Sequence, residues 1–181
     1  MDYENFYYKY LSIDYDQKDI SNFLIKWPLI ESRFHQMDVK ETAILLPSIF
    51  NWFKKNDLKV TQIFLINHKP GFKQNIHVDY VDNAGPKLAI NFPLNAAAAA
   101  SNTRVYDFVK ERRFERTRRD DNKVPYSYVS PDHVVYVGEY NCASPVLLNI
   151  TKPHSAWNNT NHLRGIITFR FEKDPDFLTK D

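Results

Sequence analysis

Six histidines, His35, His68, His77, His133, His154 and His162, are the side chains here best suited to bind a metal or move a proton near neutral pH. His77 stands out because Asp79 follows it at i+2 within the strand-like stretch Gln74–Tyr80 (QNIHVDY). Strand alternation puts both side chains on one face, with Cα atoms about 6.5–7 Å apart. An imidazole and a carboxylate so placed can converge on one cation. A third ligand must come from elsewhere, and His154 is the best candidate, opening a strand after Pro153. Two histidines and one carboxylate leave three positions open on an octahedral ion, a ligand set associated with non-haem Fe(II) chemistry. A histidine on a strand is more often plain packing, so this pair by itself is a weak signal.

The remaining chemistry-bearing residues read as ordinary. His68 sits in a turn before Pro70 and is expected at the surface, His133 at an exposed edge, and His162 in the solvated loop NNTNH. Cys142 has no histidine partner in sequence and reads as a small packing residue. Trp157 falls on the face opposite His154 and is expected in the core.

Elements must hold these residues in place. A length of 181 residues suits one domain. One cysteine excludes an internal disulfide, and 4 glycines with no GxGxxG or GxxxxGK[ST] exclude the common phosphate loops. No apolar run approaches the length of a membrane span, and the start MDYENFYYKY lacks the basic and apolar regions of a signal peptide. A net charge of +2 gives no global case for nucleic acid or membrane. A soluble, cytoplasmic protein is therefore expected.

Residues 1–58 are expected to form a helical flank. Asp16–Trp27 spaces Ile20, Phe23, Leu24 and Trp27 at helical intervals, and Pro47–Asp57 repeats the pattern. From residue 59 to 181 the period changes, and eight strands are predicted: 60–67, 74–80, 87–94, 103–109, 133–140, 145–150, 154–158 and 163–172. Short strands separated by turn signals imply a mainly β sandwich or barrel. Two stretches break the pattern. Ala96–Ala100 is a run of five alanines, a poor strand and an odd loop. A basic insertion at 110–123 contains Lys110–Arg119 (KERRFERTRR), with six basic and two acidic residues. It reads as a solvated helical or hairpin insertion, or as a patch for phosphate or an acidic partner.

In the order Ile76-His77-Val78-Asp79, Leu88–Leu94 (LAINFPL), Pro145–Asn149 (PVLLN) leading to His154, and Arg164 ten positions later, the sequence resembles the 2-oxoglutarate/Fe(II)-dependent dioxygenases. It looks most like their short prolyl-hydroxylase-like and phage-encoded members, over Val60–Phe171. The resemblance implies a double-stranded β-helix (jelly roll), with Fe(II) held by His77, Asp79 and His154. It further implies 2-oxoglutarate as co-substrate, its far carboxylate paired with Arg164 through a planar, bidentate fork. Asn91, Tyr106 and Thr168 are further candidates to hydrogen-bond the co-substrate. The family often carries Ser or Thr two positions after the arginine, where this chain has Ile166; Arg170 is a lesser rival for the anchor role. O₂ would be consumed, succinate and CO₂ released and a C–H bond hydroxylated, with ascorbate as reductant. A peptide or protein residue such as proline, or a small molecule, is the expected substrate. Nucleic acid, suggested only by segment 110–119, is a lesser expectation, and no membrane partner is expected. Two rivals are a non-catalytic jelly-roll binding module and a cupin-type metal enzyme without 2-oxoglutarate. The filled ligand positions speak against the first, and the lack of an HxH pattern against the second.

Overall fold

The computed structural model describes residues 3, 5–30, 33–79, 85–109, 115–118 and 125–180. Three helices come early, each with a readable start. In α1 (Gln17–Lys26) and α2 (Val39–Leu45) the carboxylates of Asp16 and Asp38 accept from the Lys18 and Glu41 amides. In α3 (Pro47–Lys55) a proline occupies the first turn, where its missing N–H costs nothing.

The strands are β1 (Tyr8–Tyr10), β2 (Arg33–Met37), β3 (Val60–His68), β4 (His77–Val78), β5 (Leu88–Pro93), β6 (Asn102–Phe108), β7 (Glu115–Arg118), β8 (Pro125–Tyr128), β9 (Val134–Asn141), β10 (Val146–Asn149), β11 (His154–Trp157) and β12 (Arg164–Phe171). They form two antiparallel six-stranded sheets, ordered β1-β10-β5-β12-β3-β2 and β7-β8-β4-β11-β6-β9. From β3 to β6, and again from β9 to β12, successive strands alternate between the sheets. This is the double-stranded β-helix, a jelly roll, and the eight strands that build it are the eight read from the sequence.

Alternation along the first sheet separates stability from chemistry. Ile63, Leu65, Ile90, Phe92, Ile167 and Phe169 face outward and pack in one cluster with Ile20 and Phe23 of α1 and Ile49 and Phe53 of α3. Their neighbours in sequence, Ile66, His68, Asn91, Arg164, Ile166 and Thr168, face inward and line a cavity.

The flank departs from its expected helical character. β1 pairs with β10 and β2 with β3, so two of its segments extend the first sheet at both edges. The short α2 went unpredicted. The strand expected over 74–80 contracts to His77–Val78; before it, the Gln74 amide bonds to the Ala156 carbonyl, one residue off the register that pairs His77 with His154. The five alanines form a single-turn helix, α4 (Ala96–Ala100), for which alanine has the highest intrinsic preference. Asn95 caps it, accepting from Ala98 N at 3.1 Å and Gly165 N at 3.2 Å while donating to Leu163 O at 2.6 Å. Of the insertion, residues 110–114 and 119–123 and the side chains of 115–118 lie outside the described residues; the backbone of β7 pairs antiparallel with β8. No helix among the described residues is long and apolar enough to cross a membrane.

Candidate metal and anion site

β4 and β11 are hydrogen-bonded neighbours, and His77 and His154 are direct partners in their register. Their rings lie 4.4 Å apart between centroids. Each imidazole is fixed by the backbone two residues before it: His77 Nδ1–H donates to Asn75 O and His154 Nδ1–H to Lys152 O, both at 2.9 Å. A carbonyl can only accept, so each ring proton sits on Nδ1 and each Nε2 carries the lone pair, the tautomer a metal requires. Both face the same carboxylate oxygen. Asp79 Oδ1 lies 3.2 Å from His77 Nε2 and 3.8 Å from His154 Nε2. One ligand atom from each of the three residues falls within 4.8 Å of the others, which is compatible with a single ion.

The surroundings set the protonation states that such a site needs. Burial, reinforced by His77, pushes His154 down to about 4, so it is neutral at pH 7. Burial alone would raise Asp79, but the facing His77, the Arg170 charge and, at the acid pH where this carboxyl titrates, the charge then carried by His154 outweigh it. They hold this carboxyl well below its ordinary range. Arg170, expected only as a lesser anchor, instead takes the other Asp79 oxygen, with Nη2 to Oδ2 at 3.0 Å. Gln74, which sequence reading passed over, places its amide nitrogen 3.3 Å from His77 Nε2 and its oxygen 3.4 Å from the Ala156 amide.

A pocket of about 740 Å³, open mouth included, joins this trio to Arg164. Arg164 is 1% exposed, the largest fully buried side chain described. Its Nη1 donates to His68 Nδ1 at 3.1 Å and its Nη2 to Thr103 Oγ1 at 3.2 Å. Among the described residues its Nε has no hydrogen-bond partner and no carboxylate pairs with it. Asn91 and Thr168 also line the pocket, and Asn91 Nδ2 lies 3.4 Å from the Tyr140 hydroxyl. Tyr106 is not among the lining residues. Its hydroxyl sits 3.3 Å from Ser155 Oγ and its ring is edge-on to Tyr136.

Two expectations need correction. His68 is not at the surface but 6% exposed, because its inward parity on β3 carries it into the pocket. Trp157 is half-buried rather than core, with Arg104 4.7 Å and Lys73 5.3 Å from its ring. Tyr140 and Thr103, unremarked in the sequence, line the same pocket. Cys142 is a buried packing residue as expected.

No protein-family model and no curated protein sequence matches the chain. Solved structures do match its fold. The epimerase SnoN, in complex with Fe3+, alpha ketoglutarate and nogalamycin RO, aligns with TM-score 0.57 at 14% identity, over 94% of this chain and 80% of that one. HygX from Streptomyces hygroscopicus, with iron bound, gives 0.57 at 10% identity over 94% and 84%. A Pseudomonas putida prolyl-4-hydroxylase gives 0.51 at 10% identity over 95% of both chains. At these identities the agreement is one of fold.

Proposed function

We propose that this chain is a 2-oxoglutarate- and Fe(II)-dependent dioxygenase that hydroxylates an unactivated C–H bond. The observation that carries the reading is one pocket holding both a His-Asp-His ligand set and a buried guanidinium with no carboxylate partner among the described residues. A buried, uncompensated charge is costly unless an ion of opposite sign completes it. An oxo-acid that chelates iron at one end and carries a carboxylate at the other meets both demands at once. The fold matches to proteins with iron and alpha ketoglutarate bound support the choice of ion and co-substrate.

His77, Asp79 and His154 would hold Fe(II), and Arg164 the far carboxylate of 2-oxoglutarate. Asn91 and Thr168 offer polar groups on the same wall. When bound, the iron supplies O₂ activation coupled to conversion of 2-oxoglutarate into succinate and CO₂. Ile66, Leu148, Ile150 and Ile166 line the intervening wall and keep water from it. The substrate we favour is a peptide or protein residue such as proline, supported by the prolyl-4-hydroxylase likeness spanning both chains.

The test is succinate release from 2-oxoglutarate by protein supplied with Fe(II) and ascorbate, beside His77→Ala. Slow turnover in the wild type and none in the variant is expected. Wild-type protein that neither binds iron nor releases succinate overturns the proposal.

A further inference from the structure

We propose that His68 is a positioning residue for Arg164: it accepts a hydrogen bond from the guanidinium without neutralising it, and so keeps a full positive charge available to an incoming carboxylate. This rests on the reading of Arg164 as the co-substrate's anchor.

His68 ends β3 and is the direct register partner of Arg164 on β12. Its ring stacks on Phe72 at 4.5 Å, with the planes 23° apart. Its carbonyl is held by Asn158 Nδ2 at 2.9 Å. The same amide reaches His162 O at 2.8 Å, which ties the end of β3 to the loop leading into Arg164. Both imidazole and guanidinium are thus fixed at the backbone as well as to each other.

Arginine has five donors and no acceptor, so His68 Nδ1, 3.1 Å from Nη1, carries the lone pair and the ring proton sits on Nε2. The second partner, the Thr103 hydroxyl, is also neutral. Burial raises the Tyr140 phenol and pushes the Cys142 thiol up to about 12, so neither offers Arg164 a counter-charge at pH 7. The guanidinium is therefore oriented on two sides by neutral groups. A carboxylate in place of the imidazole would orient it equally well, yet it would cancel the charge and repel a dianionic oxo-acid. Residue 68 would then be a determinant of co-substrate affinity through its charge as much as its shape.

Gln and Glu are near-isosteric, so two substitutions separate these effects. The experiment measures 2-oxoglutarate affinity calorimetrically on Mn(II)-loaded protein, with Mn(II) affinity measured separately. His68→Gln, a neutral acceptor, is expected to stay within about threefold of wild type. His68→Leu, which removes the acceptor, is expected to weaken binding about tenfold, as for loss of a hydrogen bond to a charged group. His68→Glu is expected to weaken it about a hundredfold, with Mn(II) affinity unchanged throughout. Equal binding by the Gln and Glu variants overturns the inference, as does wild-type binding by His68→Leu. Arg164→Leu separates the two readings. If it too binds like wild type, the anchor assignment falls; if it alone loses binding, only the role of His68 falls.

Discussion

Asp79 is the residue where the site's requirements meet. One oxygen faces both imidazoles and the other is held by Arg170, so the carboxylate presents a single, oriented ligand atom. Arg170 is itself confined, its guanidinium 5.1 Å from the Phe64 ring centroid. Partners that orient a metal ligand commonly contribute 10–100-fold in metal affinity. Arg170→Met keeps the length and removes the charge, and we predict that it weakens Mn(II) or Co(II) binding by about that factor. Unchanged affinity in an anaerobic titration would show that the strands alone hold Asp79. The local half of this arrangement was legible: His77 on β4 and Asp79 just past its end are two apart in extended chain, which sends both to one side. The other half was not. Arg170 meets Asp79 across 91 positions and Arg164 meets His68 across 96, and no local period encodes which residues of two sheets will face each other. Alternation along β12 puts Arg164, Thr168 and Arg170 at positions of one parity, but the job of each depends on its opposite strand.

At the scale of elements, one sheet works on both faces. Its outer face is covered by α1 and α3, and Phe53 of α3 is the centre of that contact. Its ring lies 5.0 Å from Phe169, 5.1 Å from Phe171 and 6.1 Å from Phe92, all on strands whose inward neighbours line the pocket. Truncating a buried phenylalanine typically costs about 3–5 kcal/mol, because lost burial and an unfilled cavity add. Phe53→Ala is predicted to lose stability in that range in urea melts; a loss below about 1 kcal/mol would mean that the helices are not anchored there. The eight barrel strands could be read because each lies in a stretch with enough alternating or apolar residues to show its period; β4, only two residues long, was read from the longer sequence QNIHVDY around it. β1 has three residues and α2 seven, too few to establish one, and they went unread. The alanine run was misleading for a related reason. Its helix is set by the Asn95 cap and by contacts with the chain near Gly165, which no pattern within five identical residues can report.

Across the whole molecule, the N-terminal segment fastens the two sheets together close to the proposed metal ligands. Asn149 Nδ2 donates to Tyr3 O at 3.1 Å and Phe6 O at 2.9 Å, while β1 pairs with β10 in the first sheet. Next to that strand, the Tyr7 hydroxyl donates to Asp107 Oδ2 at 2.8 Å, on β6 of the second sheet. Lys152 completes the group, with Nζ 3.0 Å from Asp107 Oδ1 and 4.8 Å from the Tyr7 ring centroid, and its carbonyl is the one that orients His154. The pH dependence of this cluster has a definite sign. Burial by itself would raise Asp107, but the Tyr7 and Lys152 hydrogen bonds and the Lys152 charge outweigh it and lower it. The folded chain therefore holds this proton less readily than the unfolded chain does. The cluster's contribution is complete above the unfolded value of about 4 and is lost as pH falls through the lower folded value. Asp107→Asn should accordingly be less stable than wild type at pH 7, and the gap should narrow as pH drops below about 4. Urea midpoints of both proteins at pH 7 and pH 3 provide the check. A gap of equal size at both values would mean that Asp107 acts through neutral hydrogen bonds alone, and that charge does not fasten the N-terminal segment across the sheets.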